Sequence, residues 1–123
     1  MPIRLTQVRL ISQDFVCSCE IYYSTSIGEG FYIVHGEGTV IGSRHKIGKG
    51  FKIYQGCTIM HTLTESKGCK IGNNVTVYSH SQILGHIMIG DNVIIGAKSL
   101  VLKDIPNKHI WFSKYVETER EII

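Results

Sequence analysis

The sequence from residue 71 to residue 101 reads IGNNVTVYSHSQILGHIMIGDNVIIGAKSLV. A β-branched aliphatic residue stands at every sixth position of this stretch: Ile71, Val77, Ile83, Ile89, Ile95 and Val101. The same spacing recurs upstream in two shorter series, Ile41, Ile47, Ile53, Ile59 and Ile21, Ile27, Ile33. An amphipathic helix repeats its apolar residues every three or four positions and a half-buried strand every two, so a period of six fits neither.

The residues around each aliphatic position predict a corner followed by a short strand. Glycine directly follows six of the aliphatic residues, at Gly28, Gly42, Gly48, Gly72, Gly90 and Gly96. Glycine or asparagine, which accept the positive φ of a tight corner, comes three positions after them at Gly30, Gly36, Gly50, Gly56, Asn74 and Asn92. Three such six-residue units close a triangular coil. The thirteen units therefore predict an all-β chain that forms a parallel β-helix of slightly more than four coils.

Two breaks in the period mark candidate functional segments, because irregular loops on a regular scaffold often carry function. Ile41 follows Ile33 by eight positions, and His35 lies in this interval. The second break precedes Ile71, where a polar run predicts an extension loop over residues 60–70.

The period also divides the chain. It is absent from the first nineteen residues and again from Lys108 onward, where Trp111 and Phe112 occur. We therefore expect an N-terminal segment over residues 1–19, a β-helix over 20–107, and a C-terminal cap or arm over 108–123.

Composition excludes several classes of protein. The 123 residues fit one domain of about 100–200 residues. The formal charge of +3 suits a small anionic ligand, but Lys and Arg are not clustered as a nucleic-acid-binding surface requires. No apolar run reaches the roughly 20 residues of a membrane span, and the start lacks the apolar block of a secretory signal, so we expect a cytoplasmic protein. The spacing of the four cysteines is weak for zinc and predicts reduced thiols and no metal.

Four stretches resemble the serine acetyltransferase family: IGEGFYIVHG at 27–36, VIG at 40–42, IYQGCTI at 53–59 and IGDNVIIGAKSLVLKDIP at 89–106. The similarity covers roughly residues 19–107. It implies a left-handed β-helix, a homotrimer with active sites between neighbouring prisms, and acetyl transfer from acetyl-CoA to a hydroxyl group.

The resemblance also implies two catalytic residues. The family's general base is a histidine in the eight-residue break, which corresponds to His35, and the aspartate that orients it corresponds to Glu20. Imidazole suits this role because its pKa lies near neutrality and a hydroxyl must lose its proton to become a good nucleophile. A carboxylate on the far ring nitrogen fixes the tautomer and stabilises the imidazolium.

Departures from the family pattern concern the acceptor. Val34 stands where the family has an aspartate, and Lys67-Gly68-Cys69 stands where it has Arg-His-Pro; these family groups grip serine. We therefore expect a sugar hydroxyl in polysaccharide biosynthesis as the acceptor, as in shorter relatives, with serine as the alternative. Val34 and His61, at the start of the extension loop, are the candidate substrate-binding residues.

Other departures concern the donor. The family's Gly-Ala-Gly-Ala stretch, which lets the pantetheine arm lie close, is Tyr78-Ser79-His80-Ser81 here. Ser79 remains small, and Ala97 keeps the family's alanine one coil later. Lys98 and Lys103 are candidates for the CoA phosphates, because lysine binds phosphate as a point charge.

Two other hypotheses belong to different functional classes. The prism could be a trimeric binding or scaffold module without catalysis, since the stretch at 78–81 and the closing segment depart from the family. It could also be a zinc enzyme similar to the γ-class carbonic anhydrases, whose three histidines meet across a subunit interface. The six histidines of this chain lack the matched close pair of that class.

Overall fold

The computed structural model describes residues 9–10, 18–62 and 67–122. Their regular structure consists of short parallel strands. The strands are β1 (Arg9–Leu10), β2 (Glu20–Ile21), β3 (Ser26–Ile27), β4 (Tyr32–Ile33), β5 (Val40–Ile41), β6 (Lys46–Ile47), β7 (Lys52–Ile53), β8 (Thr58–Met60), β9 (Lys70–Ile71), β10 (Thr76–Val77), β11 (Gln82–Leu84), β12 (Met88–Ile89), β13 (Ile94–Ile95), β14 (Leu100–Val101) and β15 (Ile110–Trp111). The described residues include no helix long and apolar enough to cross a membrane.

Three parallel sheets form the faces of a triangular prism. Sheet 1 has the order β1-β4-β7-β10-β13-β15, sheet 2 has β14-β11-β8-β5-β2, and sheet 3 has β12-β9-β6-β3. Equivalent residues of successive coils pair, so that Val77 lies between Ile53 and Ile95. The first four coils, β1–β3 to β10–β12, each contribute one strand to each sheet, which confirms the parallel β-helix. We name the corners 1–2, 2–3 and 3–1 after the sheets that they connect.

The core contains two residues from each six-residue unit. The repeated aliphatic residue points inward, as the full burial of Ile53, Val77 and Ile95 illustrates. A second buried position lies two residues earlier. It is occupied by Phe31, Phe51, Val75 and Val93 at corner 3–1, by Thr39, Cys57, Ser81 and Ser99 at corner 1–2, and by Thr25, His45, Cys69 and Ile87 at corner 2–3. The rings of Phe31 and Phe51 stack, with centroids 5.8 Å apart.

Side chains connect successive coils at the corners. At corner 1–2, Thr39 Oγ1 donates to the Tyr54 carbonyl (3.0 Å) and Ser81 Oγ to the Gly96 carbonyl (2.8 Å). At corner 3–1, side-chain oxygens accept backbone N–H groups in a ladder: Asn73 accepts from Lys49 (2.9 Å), Asp91 from Asn73 (2.7 Å) and Asn107 from Asp91 (2.8 Å). The buried hydroxyl groups at corner 1–2 are thus paired, as buried polar groups generally are, while the buried Gln55 Oε1 at this corner has no hydrogen-bond partner among the described residues.

Strand pairing continues outside the expected limits of 20 and 107. Arg9–Leu10 pairs with β4, and Ile110–Trp111 pairs with β13. Lys103 Nζ lies 5.4 Å from the centroid of the Trp111 ring, a cation–π contact at this end of the prism. Residues 112–122 form no strand, and Tyr115 and Val116 within them are exposed.

Candidate functional site

His35 lies in the connection between β4 and β5, residues 34–39, at corner 1–2. Its imidazole is exposed, and the preceding Val34 is half-buried. Backbone hydrogen bonds hold the loop to the coils on both sides: Val34 N to Ile53 O, Gly38 N to Ser18 O, and Gly56 N to Glu37 O, each 2.9 Å. The backbone around His35 is therefore fixed while the ring is open to a reactant.

Glu20 lies near the same edge of sheet 2. It begins β2, and its Cα pairs with that of Val40 in β5, the strand that follows the His35 loop. The Glu20 carboxylate is exposed. Within the described residues, neither a hydrogen bond nor an ion pair joins Glu20 to His35. The fold brings both residues to one edge and leaves ring and carboxylate facing solvent.

Three of the four candidate CoA-binding residues share a corner with His35. Ser79 is half-buried, while Ala97 and Lys98 are exposed, and all three lie at corner 1–2. The Lys98 N–H donates to the Ser79 carbonyl (2.8 Å), which stacks the two coils. At the same corner, the rings of Tyr54 and Tyr78 stack, with centroids 4.8 Å apart.

Two other candidates lie elsewhere on the prism. Lys103 is at corner 2–3, with its amine over Trp111. His61 follows β8 at corner 2–3, where its Nε2 lies 3.1 Å from Ser43 Oγ and its Nδ1 2.9 Å from the Thr62 carbonyl. A single chain therefore does not bring Lys103 or His61 to His35.

His45 is a perturbed residue that the sequence reasoning did not single out. Its side chain is fully buried in the inner column of corner 2–3. Its Nδ1 accepts the backbone N–H of Cys69 (2.9 Å), so the proton of the neutral ring is on Nε2, which has no hydrogen-bond partner among the described residues. Burial, and then the nearby His61, lowers the pKa of His45 from 6.5 to about 4. The rings of His45 and His61 are 5.8 Å apart.

A signal for His45 was present in the hexad pattern. The residue two positions before each repeated aliphatic points inward, and His45 stands two positions before Ile47. The described residues show no group of three His, Cys, Asp or Glu side chains that could hold a metal ion. By accepting the Cys69 N–H, the buried His45 ring serves the fold and holds the end of the extension loop.

Acid should destabilise the fold through His45. Between about pH 6.5 and 4, the unfolded chain binds a proton at His45 that the folded chain does not bind. The contribution of His45 to the free energy of unfolding has its full value above pH 6.5. It falls by up to about 1.4 kcal/mol per pH unit on acidification, or about 3 kcal/mol in all. Urea unfolding at a series of pH values would measure this slope.

His45→Thr is the informative variant, because a threonine hydroxyl at this position can accept the Cys69 N–H in place of the ring. Thr25, at the equivalent position of the preceding coil, accepts the His45 N–H through its Oγ1 in this way (3.1 Å). We expect His45→Thr to flatten the pH dependence between 4 and 6.5. His109→Asn, at an exposed histidine, should retain the full slope. Equal slopes for His45→Thr and the parent chain would contradict the assignment.

The comparisons with known proteins agree with this architecture. Residues 68–103 match the bacterial transferase hexapeptide family, described as six repeats. Residues 68–103 thus carry the hexapeptide repeat of that family. The chain is similar to serine acetyltransferases, which confirms the resemblance found in the sequence: it is 43% identical over 109 residues to the enzyme of Staphylococcus epidermidis and 41% identical over 103 residues to that of Helicobacter pylori.

Solved structures extend the comparison to the fold. Serine acetyltransferase isoform 3 of Entamoeba histolytica, in complex with cysteine, superposes with a TM-score of 0.74 at 32% identity over 85% of this chain and 38% of that one. A serine acetyltransferase in complex with CoA gives 0.69 at 30% identity, over 75% and 37%. These likenesses confirm the left-handed parallel β-helix.

The matches cover most of this chain but only part of its relatives. The alignments include 85% and 80% of this chain. They include 51% of the Staphylococcus epidermidis protein and 60% of the Helicobacter pylori protein. The chain therefore spans about half to three fifths of their length.

Proposed function

We propose that this chain is an acetyl-CoA-dependent O-acetyltransferase with His35 as its general base. The observation that carries the proposal is the exposed His35 ring on a loop pinned to both neighbouring coils, in a chain about 42% identical to serine acetyltransferases. We propose that it acts as a cytoplasmic homotrimer, with Glu20 orienting His35.

The reaction needs one proton acceptor and one acyl donor. His35 removes the proton of the acceptor hydroxyl, and the oxygen attacks the thioester carbonyl. The tetrahedral intermediate collapses, the carbon–sulfur bond breaks, and the thiolate of CoA takes the proton from the imidazolium. The products are an acetyl ester and CoA.

Corner 1–2 suits the donor. Ser79 and Ala97 are small and line the same column as His35, and the exposed Lys98 amine offers a point charge to a phosphate group. Tyr78 is 38% exposed and stacked on Tyr54, where the family pattern has a small residue. The arm of CoA would therefore pass along the Ser79–Ala97 side of the column.

Serine is the acceptor that the comparisons favour. The relatives reported above are serine acetyltransferases, so they support the alternative of the sequence reasoning over the expected sugar. Two observations keep a sugar hydroxyl as the second candidate. Val34 puts an apolar side chain beside His35, and a Cβ at Gly68 would collide with the Arg44 carbonyl, which leaves no room for a histidine there.

An acceptor panel tests the proposal. We expect thiol release from acetyl-CoA to rise when L-serine is added, and mass spectrometry to detect O-acetylserine. Hexoses, amino sugars and uronic acids serve as the matched panel. Thiol release with one of these sugars and not with L-serine would favour a sugar hydroxyl as the acceptor. Absence of thiol release with every acceptor, in a protein that binds CoA, would favour the non-catalytic module instead.

A further inference from the structure

A pocket of about 500 Å³ opens at corner 2–3 beside sheet 3, on a different corner from His35. Four residues that line it carry a positive charge at neutral pH: Arg44, Lys46, Lys67 and Lys70. His86 and Met88 also contribute to its wall. Lys67 and Gly68 stand at positions where the family has serine-binding groups, and the proposed acetyl transfer assigns no role to Arg44, Lys46 or Lys70.

Within the described residues, the charges of this pocket have no carboxylate partner. The ion pair among the described residues, Lys49–Glu29 at 3.6 Å, lies at corner 3–1, outside the pocket. Asp104 lines a separate pocket that shares Lys70 and Met88 with this one, and its Oδ1 accepts the Met88 N–H (2.8 Å). The pocket is therefore a concentration of positive charge in a chain whose formal charge is only +3.

The fold forces two of these charges together. Lys46 and Lys70 are register partners in the parallel strands β6 and β9, and both side chains are exposed on the outer face. Adjacent strands lie about 4.8 Å apart, and like charges directly opposite each other are destabilising. The buried neighbours Ile47 and Ile71 fix this register, so the lysines cannot separate by a shift of the strand.

The floor of the pocket is rigid backbone. His86 Nδ1 donates to the Gly68 carbonyl (2.9 Å), and the adjacent Cys69 N–H donates to His45 (2.9 Å). Gly68 packs against the backbone of Arg44 so closely that any Cβ would collide with it. The positive side chains therefore surround a fixed surface.

We propose that this pocket binds a phosphate-bearing small molecule. Lysine binds phosphate as a point charge and arginine binds it bidentately, so four cations around one floor match a group with two or more negative charges. The volume of about 500 Å³ falls within the range of roughly 300–1,000 Å³ of small-molecule sites. A bound phosphate group would neutralise the repulsion between Lys46 and Lys70.

Calorimetry with inorganic pyrophosphate tests the proposal. We expect saturable binding that persists at about 0.15 M ionic strength, where attraction between exposed charges is largely screened. The double variant Lys46→Gln/Lys70→Gln should bind at least about tenfold more weakly. Lys52→Gln is the matched control, because Lys52 is an exposed strand lysine on sheet 1, outside the pocket, beside Tyr32 and Thr76.

Thermal unfolding supplies a second readout that also reports folding. Without anions, the double variant should unfold at a higher temperature than the parent chain, because the repulsion is gone. Pyrophosphate should raise the midpoint of the parent chain and not that of the variant. Absence of saturable binding to the parent chain, or equal weakening by Lys52→Gln, would overturn the proposal.

Competition identifies the source of the phosphate. If CoA displaces pyrophosphate and 3′-dephospho-CoA does not, the pocket holds the 3′-phosphate of the donor. If neither displaces it, the pocket holds a phosphate of another metabolite, such as a phosphorylated acceptor. Both results support a phosphate site, and neither depends on acetyl transfer being the activity.

Discussion

Replacing His35 by asparagine is expected to lower the rate of acetyl transfer by about 10²–10⁴-fold, the usual contribution of a general base. Asparagine fills a similar space but cannot take up the proton of the acceptor. The loop should keep its structure, because its hydrogen bonds to Ile53, Ser18 and Gly56 involve backbone atoms only. Binding of acetyl-CoA, measured by calorimetry, should therefore be unchanged while thiol release is lost.

His109→Asn is the control for this experiment, since it removes an exposed histidine at corner 3–1 and should leave the rate unaltered. Glu20→Gln should lower kcat with little change in KM, because the carboxylate acts on His35 and not on the substrate. Full activity of His35→Asn would exclude His35 as the general base.

Phe51→Ala is expected to lower the free energy of unfolding by about 3–5 kcal/mol, the usual effect of removing a buried aromatic ring. The Phe51 side chain is fully buried, and its ring stacks on that of Phe31 in the coil below. Because each coil packs only on its neighbours, a cavity at Phe51 weakens the packing of its coil on both the preceding and the following coil. Urea unfolding at a fixed protein concentration would measure the loss.

Phe112→Ala is the matched substitution, because Phe112 is 63% exposed just beyond β15. We expect it to cost much less than Phe51→Ala. A similar loss for both variants would mean that Phe112 is buried in solution and would contradict this prediction.

The sequence predicted the fold well because a β-helix repeats one local rule. The alternation of Ile53 and its equivalents with corner glycines is visible without any knowledge of distant contacts. The second inward column can be recognised in the sequence only where it is apolar, as at Phe51 and Val75. At Thr39 and Ser81 the same position holds hydroxyl groups, which the sequence does not distinguish from surface residues until their carbonyl partners in the next coil are known.

The candidate site was harder to predict because it depends on contacts between coils and corners. His35 could be found from the break in the period and the family resemblance. His61 and Lys103 each come two residues after an aliphatic position of sheet 2, and His35 comes two residues after one of sheet 1, so counting the units along the chain would have separated them. The opposition of Lys46 and Lys70 is harder to see, because it results from a coil lengthened by the extension loop, which puts them 24 positions apart in sequence but adjacent in sheet 3.

The ladder at corner 3–1 bears on how chains of this kind change in length. Each oxygen of Asn73, Asp91 and Asn107 serves only the coil that precedes it. Duplication of a segment of about eighteen residues, three units of six, would therefore lengthen the prism by one turn and preserve every existing contact on either side. Evolution can vary the size of such a protein in whole turns, while each turn stays free to acquire a different chemistry on its surface.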